Sequence, residues 1–133
     1  MTTPNQTKRK MPTKKQIAEH WAKKLVRMGK FDSVEEVMDD LNVCWACGMK
    51  IDSKDWESET ERAHILPRIK GGCDEPHNLH LLDYVCHKKS ENLWGKKYDE
   101  WFKNRKFTHV MFENAPGEKI ELLIKEMEKI WTR

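Results

Sequence analysis

The sequence predicts an α+β fold: one short β-hairpin framed by helices on both sides. Three observations carry this expectation. Apolar residues recur at helical spacing between Thr13 and Leu41, and again from Trp94 onward. Two short apolar runs, "RAHIL" and "NLHLL", flank a glycine-bearing loop, "PRIKGGCDEPH", which is the pattern of a hairpin. Cysteines bracket that hairpin, with "CWACG" before it and "CHKKSE" after it.

The elements follow in order. Residues 1–12 ("MTTPNQTKRKMP") lack apolar periodicity and are expected to form a disordered basic tail. Residues 13–133 then make a single domain, with N-terminal helices over 13–43, a core over 44–102 and a C-terminal extension over 103–133. A first helix starts at Thr13, places Ile17, Trp21, Leu25 and Met28 on one face and ends at Gly29. Ser33 with Glu36 forms a capping box for a second, lined by Val34, Val37, Met38 and Leu41. After the hairpin, "CHKKSENLW" lacks strand alternation and suits a helix, and Trp94, Tyr98, Trp101 and Phe102 add an aromatic face that reads as core. Residues 107–112 ("FTHVMF") read as extended. Pro116 opens a last helix carrying Ile120, Leu123, Ile124, Met127 and Trp131.

Composition narrows the class of protein. With 35% charged and 38% hydrophobic residues, the chain reads as soluble and globular. No apolar run approaches the roughly 18 residues of a membrane span, and no signal-peptide pattern is present, so a cytoplasmic, intracellular location is expected. In that setting the four cysteines favour metal binding over disulfides. Net charge is only +3 but uneven: residues 1–30 hold nine of the cations, including Lys8, Arg9, Lys10, Lys14 and Lys15, against Glu19 alone. A basic arm on a mildly acidic body points to a polyanion, although a solubilising tail has the same composition.

The chemistry-bearing residues lie between 61 and 91. His64 is the one histidine within the first apolar strand, where a neutral imidazole can take a proton from water near pH 7. Asn78, both donor and acceptor, can brace the strand carrying His64. His87 opens a helix, so Glu91 shares its face one turn later and the two can hold a divalent cation. Base, bracing amide and metal together suit phosphodiester hydrolysis.

The linked motifs "CWACG … ERAHILPRIKGG … EPHNLHLL … CHKKSE" resemble the HNH endonucleases over about residues 44 to 102. That resemblance implies a ββα-metal core and cleavage of DNA. It implies His64 as general base, Asn78 as the residue holding the hairpin, and His87 as ligand of a catalytic Mg²⁺ or other divalent cation. It also implies a structural Zn²⁺ held by Cys44, Cys47 and Cys86, and an origin in phages, mobile elements or restriction systems. Two positions depart from the family pattern. Ala63 stands where many members carry a metal ligand, so Glu91, or alternatively Glu61, must assist His87, or the substrate phosphate must complete the site. Asp83 replaces the third cysteine.

Asp83 is the expected fourth zinc ligand, because it ends the second strand beside Cys44 and Cys47. Cys73 is the alternative, but it lies at the other end of the hairpin, roughly 16 Å away over five residues of strand. Asp83→Cys is accordingly expected to tighten zinc and raise thermal stability. Arg68 and Lys70, beside Gly71 and Gly72, are placed to contact phosphates. His77, His80, His109 and Trp45 read as surface or packing residues. The competing function is a non-catalytic zinc module that binds nucleic acid through a decayed site. RNA as substrate, the target sequence, the number of strands cut and the oligomeric state are left open by the sequence.

Overall fold

The computed structural model describes residues 10–51 and 59–114 of the chain. It is an α+β arrangement of a two-stranded antiparallel sheet among helices. The order is α1 (Lys14–Arg27), α2 (Val34–Asp39), β1 (Glu61–His64), β2 (Leu79–Leu82), α3 (Tyr84–Ser90), α4 (Gly95–Asn104) and α5 (Phe107–Asn114). Two single 3-10 turns, Arg68–Lys70 and Pro76–Asn78, shape the loop between the strands. None of the described helices is long and apolar enough to cross a membrane. Lys8, Arg9 and the helix expected from Pro116 lie outside the described residues.

Local chemistry explains the N-terminal helices. The Thr13 side chain accepts from the Gln16 backbone while the Gln16 side chain accepts from Thr13 N–H, a reciprocal capping box that starts α1. Its buried stripe is Ile17, Ala18, Trp21, Ala22 and Leu25, whereas Met28, expected on that face, is exposed. Ser33 Oγ accepts from Glu36 N–H and starts α2, whose Val37 is buried while Val34 faces out. The α1 helix packs on α2 and on the Pro76–Asn78 turn, where Trp21 Nε1 donates to Pro76 O at 2.8 Å.

The strands pair Glu61 with Leu82, Arg62 with Leu81, Ala63 with His80 and His64 with Leu79. All four residues of β2 are buried, so both faces of that strand are covered. Residues 44–48 attach to β2 through Trp45 N–H to Leu81 O at 2.9 Å. In β2, His80 stacks on Phe102 at 4.0 Å and on Tyr98 at 5.7 Å, joining α4 to the sheet. Buried Arg105 and Val110 extend the same core beyond α4.

Two expectations are corrected. The helix expected over 86–94 is shorter and starts earlier: α3 runs Tyr84–Ser90, and Gly95, at φ 63°, begins a separate α4 with Trp94 half-exposed at its N-cap. Residues 107–112 are helical rather than extended. The aromatic and β-branched run suggested a strand, but His109 Nδ1 accepts from Lys106 N–H at 3.0 Å in the first turn, and Val110 is buried. Capping and burial override the propensity.

Candidate metal centre and hydrolytic cleft

One donor atom each from the buried Cys44, Cys47, Asp83 and Cys86 lies within 4.8 Å of all the others. Sulfur ligands on a tetrahedral zinc ion, with bonds of about 2.3 Å, sit about 3.8 Å apart. The cluster therefore has the size and donor chemistry to hold a metal ion such as zinc. Cys44 and Cys47 come from a tight turn, closed by Gly48 N–H to Cys44 O at 2.8 Å, with Gly48 at φ 83°. That left-handed conformation disfavours any residue with a Cβ. Asp83 and Cys86 come from the first turn of α3.

Asp83 does two things at once. It is only 2% exposed, and its Oδ1 accepts from Cys86 N–H at 2.7 Å, capping α3. Its Oδ2 lies 3.1 Å from Cys47 Sγ, inside the cluster. Cysteine is a poor N-cap, whereas aspartate is among the best. The carboxylate thus supplies both a ligand and a cap, which rationalises aspartate at this position. Cys73 is exposed, beside His77 Nε2 at 3.4 Å, and stands outside the cluster.

The electrostatics match a cation at this place. Burial alone would push the Cys44 thiol up, but hydrogen bonds from Cys47 and Cys86 outweigh it and bring Cys44 far down. Those same bonds to Cys44 hold Cys47 far up and raise Cys86 to about 12. Burial, and then the Cys44 charge, raise Asp83. Binding of an ion at this cluster displaces the protons its thiols carry. Three thiolates and a carboxylate would leave two negative charges in excess of a divalent ion. Two cations face them. Arg105, 5% exposed, donates from Nε to Cys86 Sγ at 3.3 Å. Lys30 donates from Nζ to Ala46 O at 2.7 Å and Arg105 O at 3.2 Å. Burial lowers the Lys30 pKa, and the three cysteines partly restore it.

A separate cleft of about 290 Å³ is lined by His64, Pro67, Arg68, His87, Ser90 and Glu91. His64 Nε2 pairs with Asp74 Oδ1 at 2.8 Å, and Arg68 Nε lies 3.9 Å from the same oxygen. His87 Nδ1 pairs with Glu61 Oε1 at 2.6 Å. Glu61 is thus the carboxylate in contact with His87, while Glu91, at the C-cap of α3, lines the cleft. Among the described residues, His87, Glu61 and Glu91 do not make a second cluster of three or more metal donors.

Asn78 is the clamp of the loop. Its Oδ1 accepts from Leu66 N–H at 2.8 Å, and its Nδ2 donates to Leu66 O at 3.0 Å and Cys73 O at 2.8 Å. Gly72 is pressed against the same segment, where an added Cβ would come within 1.8 Å of Leu66 O. This loop carries Asp74, the partner of His64 that sequence reasoning missed. No periodicity links a loop carboxylate to a strand histidine ten residues away. Lys10, Lys14 and Lys15 lie at the start of the described chain, where Lys14 Nζ pairs with Glu59 at 3.2 Å. His80 and Trp45 are buried packing residues, as their sequence context implied.

No family model, curated protein or solved structure matches the chain. The functional reading therefore rests on the chemistry of these two sites.

Proposed function

We propose that this protein is a metal-dependent DNA endonuclease of the HNH type, with a ββα-metal core stapled by a structural zinc at Cys44, Cys47, Asp83 and Cys86. One observation carries the reading: His64 and His87, from the first strand and the following helix, line one cleft whose loop is pinned by Asn78. In the tautomer that donates Nε2–H to Asp74, His64 bears its lone pair on Nδ1, the atom that accepts a proton from the attacking water. Asp74 orients the ring and stabilises the imidazolium that results. His87, donating Nδ1–H to Glu61, keeps Nε2 for a divalent ion such as Mg²⁺, and Glu61 then acts as the orienting carboxylate behind a metal-ligating histidine. Glu91 becomes the first-choice second ligand, and substrate phosphate and water complete the set. When bound, that ion supplies charge stabilisation at the phosphate and the leaving oxygen. The basic arm, with Lys8, Arg9, Lys10, Lys14 and Lys15, adds salt-sensitive grip on the backbone.

A plasmid-nicking assay with magnesium or manganese tests this. Wild-type protein is expected to nick, and His64→Ala protein of unchanged circular dichroism and zinc content is expected not to. Parallel reactions on single-stranded DNA and on RNA define the substrate. A second reading is a non-catalytic nucleic-acid-binding zinc module. It is favoured by Ala63 and by the lack of a three-donor cluster around His87 among the described residues. Binding of duplex without cleavage under any divalent ion would establish that module instead.

A further inference from the structure

Ile69 is 92% exposed, the most exposed of the large hydrophobic side chains among the described residues. An isolated exposed apolar residue is ordinary on a protein surface. Its mounting here is not. Ile69 sits at the centre of the Arg68–Lys70 turn, closed by Lys70 N–H to Pro67 O, Gly71 N–H to Arg68 O and Gly72 N–H to Pro67 O, at 2.9, 2.9 and 3.0 Å. The base of that turn is held at Leu66 by Asn78 and closed over by Gly72. Backbone bonding therefore projects Ile69 into solvent on a stiff mount.

The chemistry on either side is cationic and aromatic. Arg68 precedes Ile69 and lines the cleft together with Pro67, so the tip is continuous with the proposed hydrolytic site. Lys70 follows it and makes no ion pair among the described residues; its ammonium rests 4.6 Å from the ring centre of the half-exposed Trp94. An apolar tip between two cations, at the mouth of a phosphodiester-cleaving cleft, complements a surface in which stacked apolar rings lie between two rows of phosphates. That surface is duplex DNA.

We infer that the Arg68–Ile69–Lys70 turn is a wedge that enters duplex DNA beside the scissile bond, with Ile69 parting adjacent base pairs and the two cations engaging the flanking phosphates. Apolar wedges of this kind unstack a base step and kink the duplex, and the unstacking is offset by wider protein contact. The wedge rests on the nuclease reading for the nature of its partner, and it adds the means by which substrate is deformed at the site.

The test uses full-length protein and short duplexes carrying 2-aminopurine at successive positions, with calcium in place of magnesium. Wild-type protein is expected to raise 2-aminopurine fluorescence on binding, and Ile69→Leu to retain that rise. Ile69→Ala is expected to abolish it and to weaken duplex affinity about tenfold, the scale of burying one isoleucine side chain. Its salt slope stays unchanged, because no charge is removed. Arg68→Ala and Lys70→Ala are each expected to flatten the log–log salt slope by about 0.9. Binding with no fluorescence rise, or an Ile69→Ala protein equal to wild type, overturns the wedge and leaves the nicking assay to judge the nuclease. A rise lost in Ile69→Ala, with no cleavage under magnesium or manganese, supports the wedge and overturns the nuclease. A wild-type dimer that Ile69→Ala splits in sedimentation, with duplex affinity unchanged, overturns the wedge in favour of a second copy as Ile69's cover. Failure of wild-type protein to bind duplex overturns both.

Discussion

Two populations of polar residues look alike in the sequence but differ in burial. Cys44, Cys86, Asp83 and His80 are almost wholly removed from solvent. His64 and His87 keep side-chain exposures of 22% and 29%. The buried set is pre-assembled: four donors converge, and Arg105 and Lys30 bring compensating charge. The exposed set consists of two separate His–carboxylate pairs facing a cleft. A cluster able to hold an ion tolerates dryness because its donors converge on one another. A cleft that stays open leaves its histidines accessible to a ligand, which under the proposed nuclease reading is the phosphate of the substrate.

Cys86→Ser against His87→Ala is the sharpest way to break this contrast, since the two positions are adjacent. Cys86→Ser should release the ion and remove the sulfur that accepts from Arg105 Nε. A loss of about 4–5 kcal/mol is expected, roughly 15 °C in Tm for a domain of this size. His87→Ala, in the open cleft, should change stability by less than about 1 kcal/mol. Equal losses in thermal melts would mean the cleft is as structural as the cluster.

Asn78 joins the two populations, because a buried amide builds the exposed loop. Asn78→Ala removes three hydrogen bonds to backbone groups of Leu66 and Cys73. A cost of about 2–3 kcal/mol is expected, since polar groups are left unpaired rather than replaced. Metal content should stay at the wild-type value while cleavage falls. Loss of metal in Asn78→Ala would show that the two sites are coupled.

His80 shows how differently the same side chain behaves in the core. Its Nδ1 pairs with Tyr98 Oη at 2.7 Å, while its buried Nε2 has no hydrogen-bond partner among the described residues. Burial lowers its pKa to about 3. The unfolded chain protonates this histidine near pH 6.5, whereas the folded chain keeps it neutral until about pH 3. Between those values the unfolded state binds the extra proton. Stability from this group is therefore intact above about pH 6.5 and declines as pH falls, by about 1.4 kcal/mol per unit. At pH 5 the loss amounts to about 2 kcal/mol. The double variant His80→Phe, Tyr98→Phe removes both members of the pair and should flatten that limb in denaturant titrations. A difference between variant and wild type that does not vary with pH would rule out His80 as its source.

What the sequence revealed follows from the range of each signal. The start of α1 was legible from its apolar periodicity and that of α2 from Ser33, which acts over three residues, although the Glu36 carboxylate accepts from Asp32 N–H rather than closing the expected box. The cluster was legible because cysteine spacing, together with a hairpin that returns Asp83 toward Cys44, leaves few arrangements. The break before α4 was not, since it depends on Gly95 adopting positive φ within a helical pattern. Asp74 and the Glu61–His87 contact were harder still. Which carboxylate meets which imidazole is set by loop and strand placement, and no local rule encodes it.

The smallest expected effect concerns Asp83, where the structure changes the outcome expected from sequence. Three thiolates with a carboxylate suit a borderline-soft ion less well than four thiolates, so Asp83→Cys should still tighten zinc. The carboxylate, however, also accepts the Cys86 N–H that starts α3. Losing an aspartate N-cap costs about 1 kcal/mol, and a cysteine side chain does not replace it. Tighter zinc and a weaker helix start therefore oppose each other. Asp83→Cys should show higher zinc affinity in chelator competition and a Tm within a few degrees of wild type, because about 1 kcal/mol moves Tm by only that much. Metal-free Asp83→Cys, with no ion to offset the missing cap, should melt below metal-free wild type. A large rise in Tm with zinc bound would mean that the cap contributes little and that the carboxylate serves the metal alone.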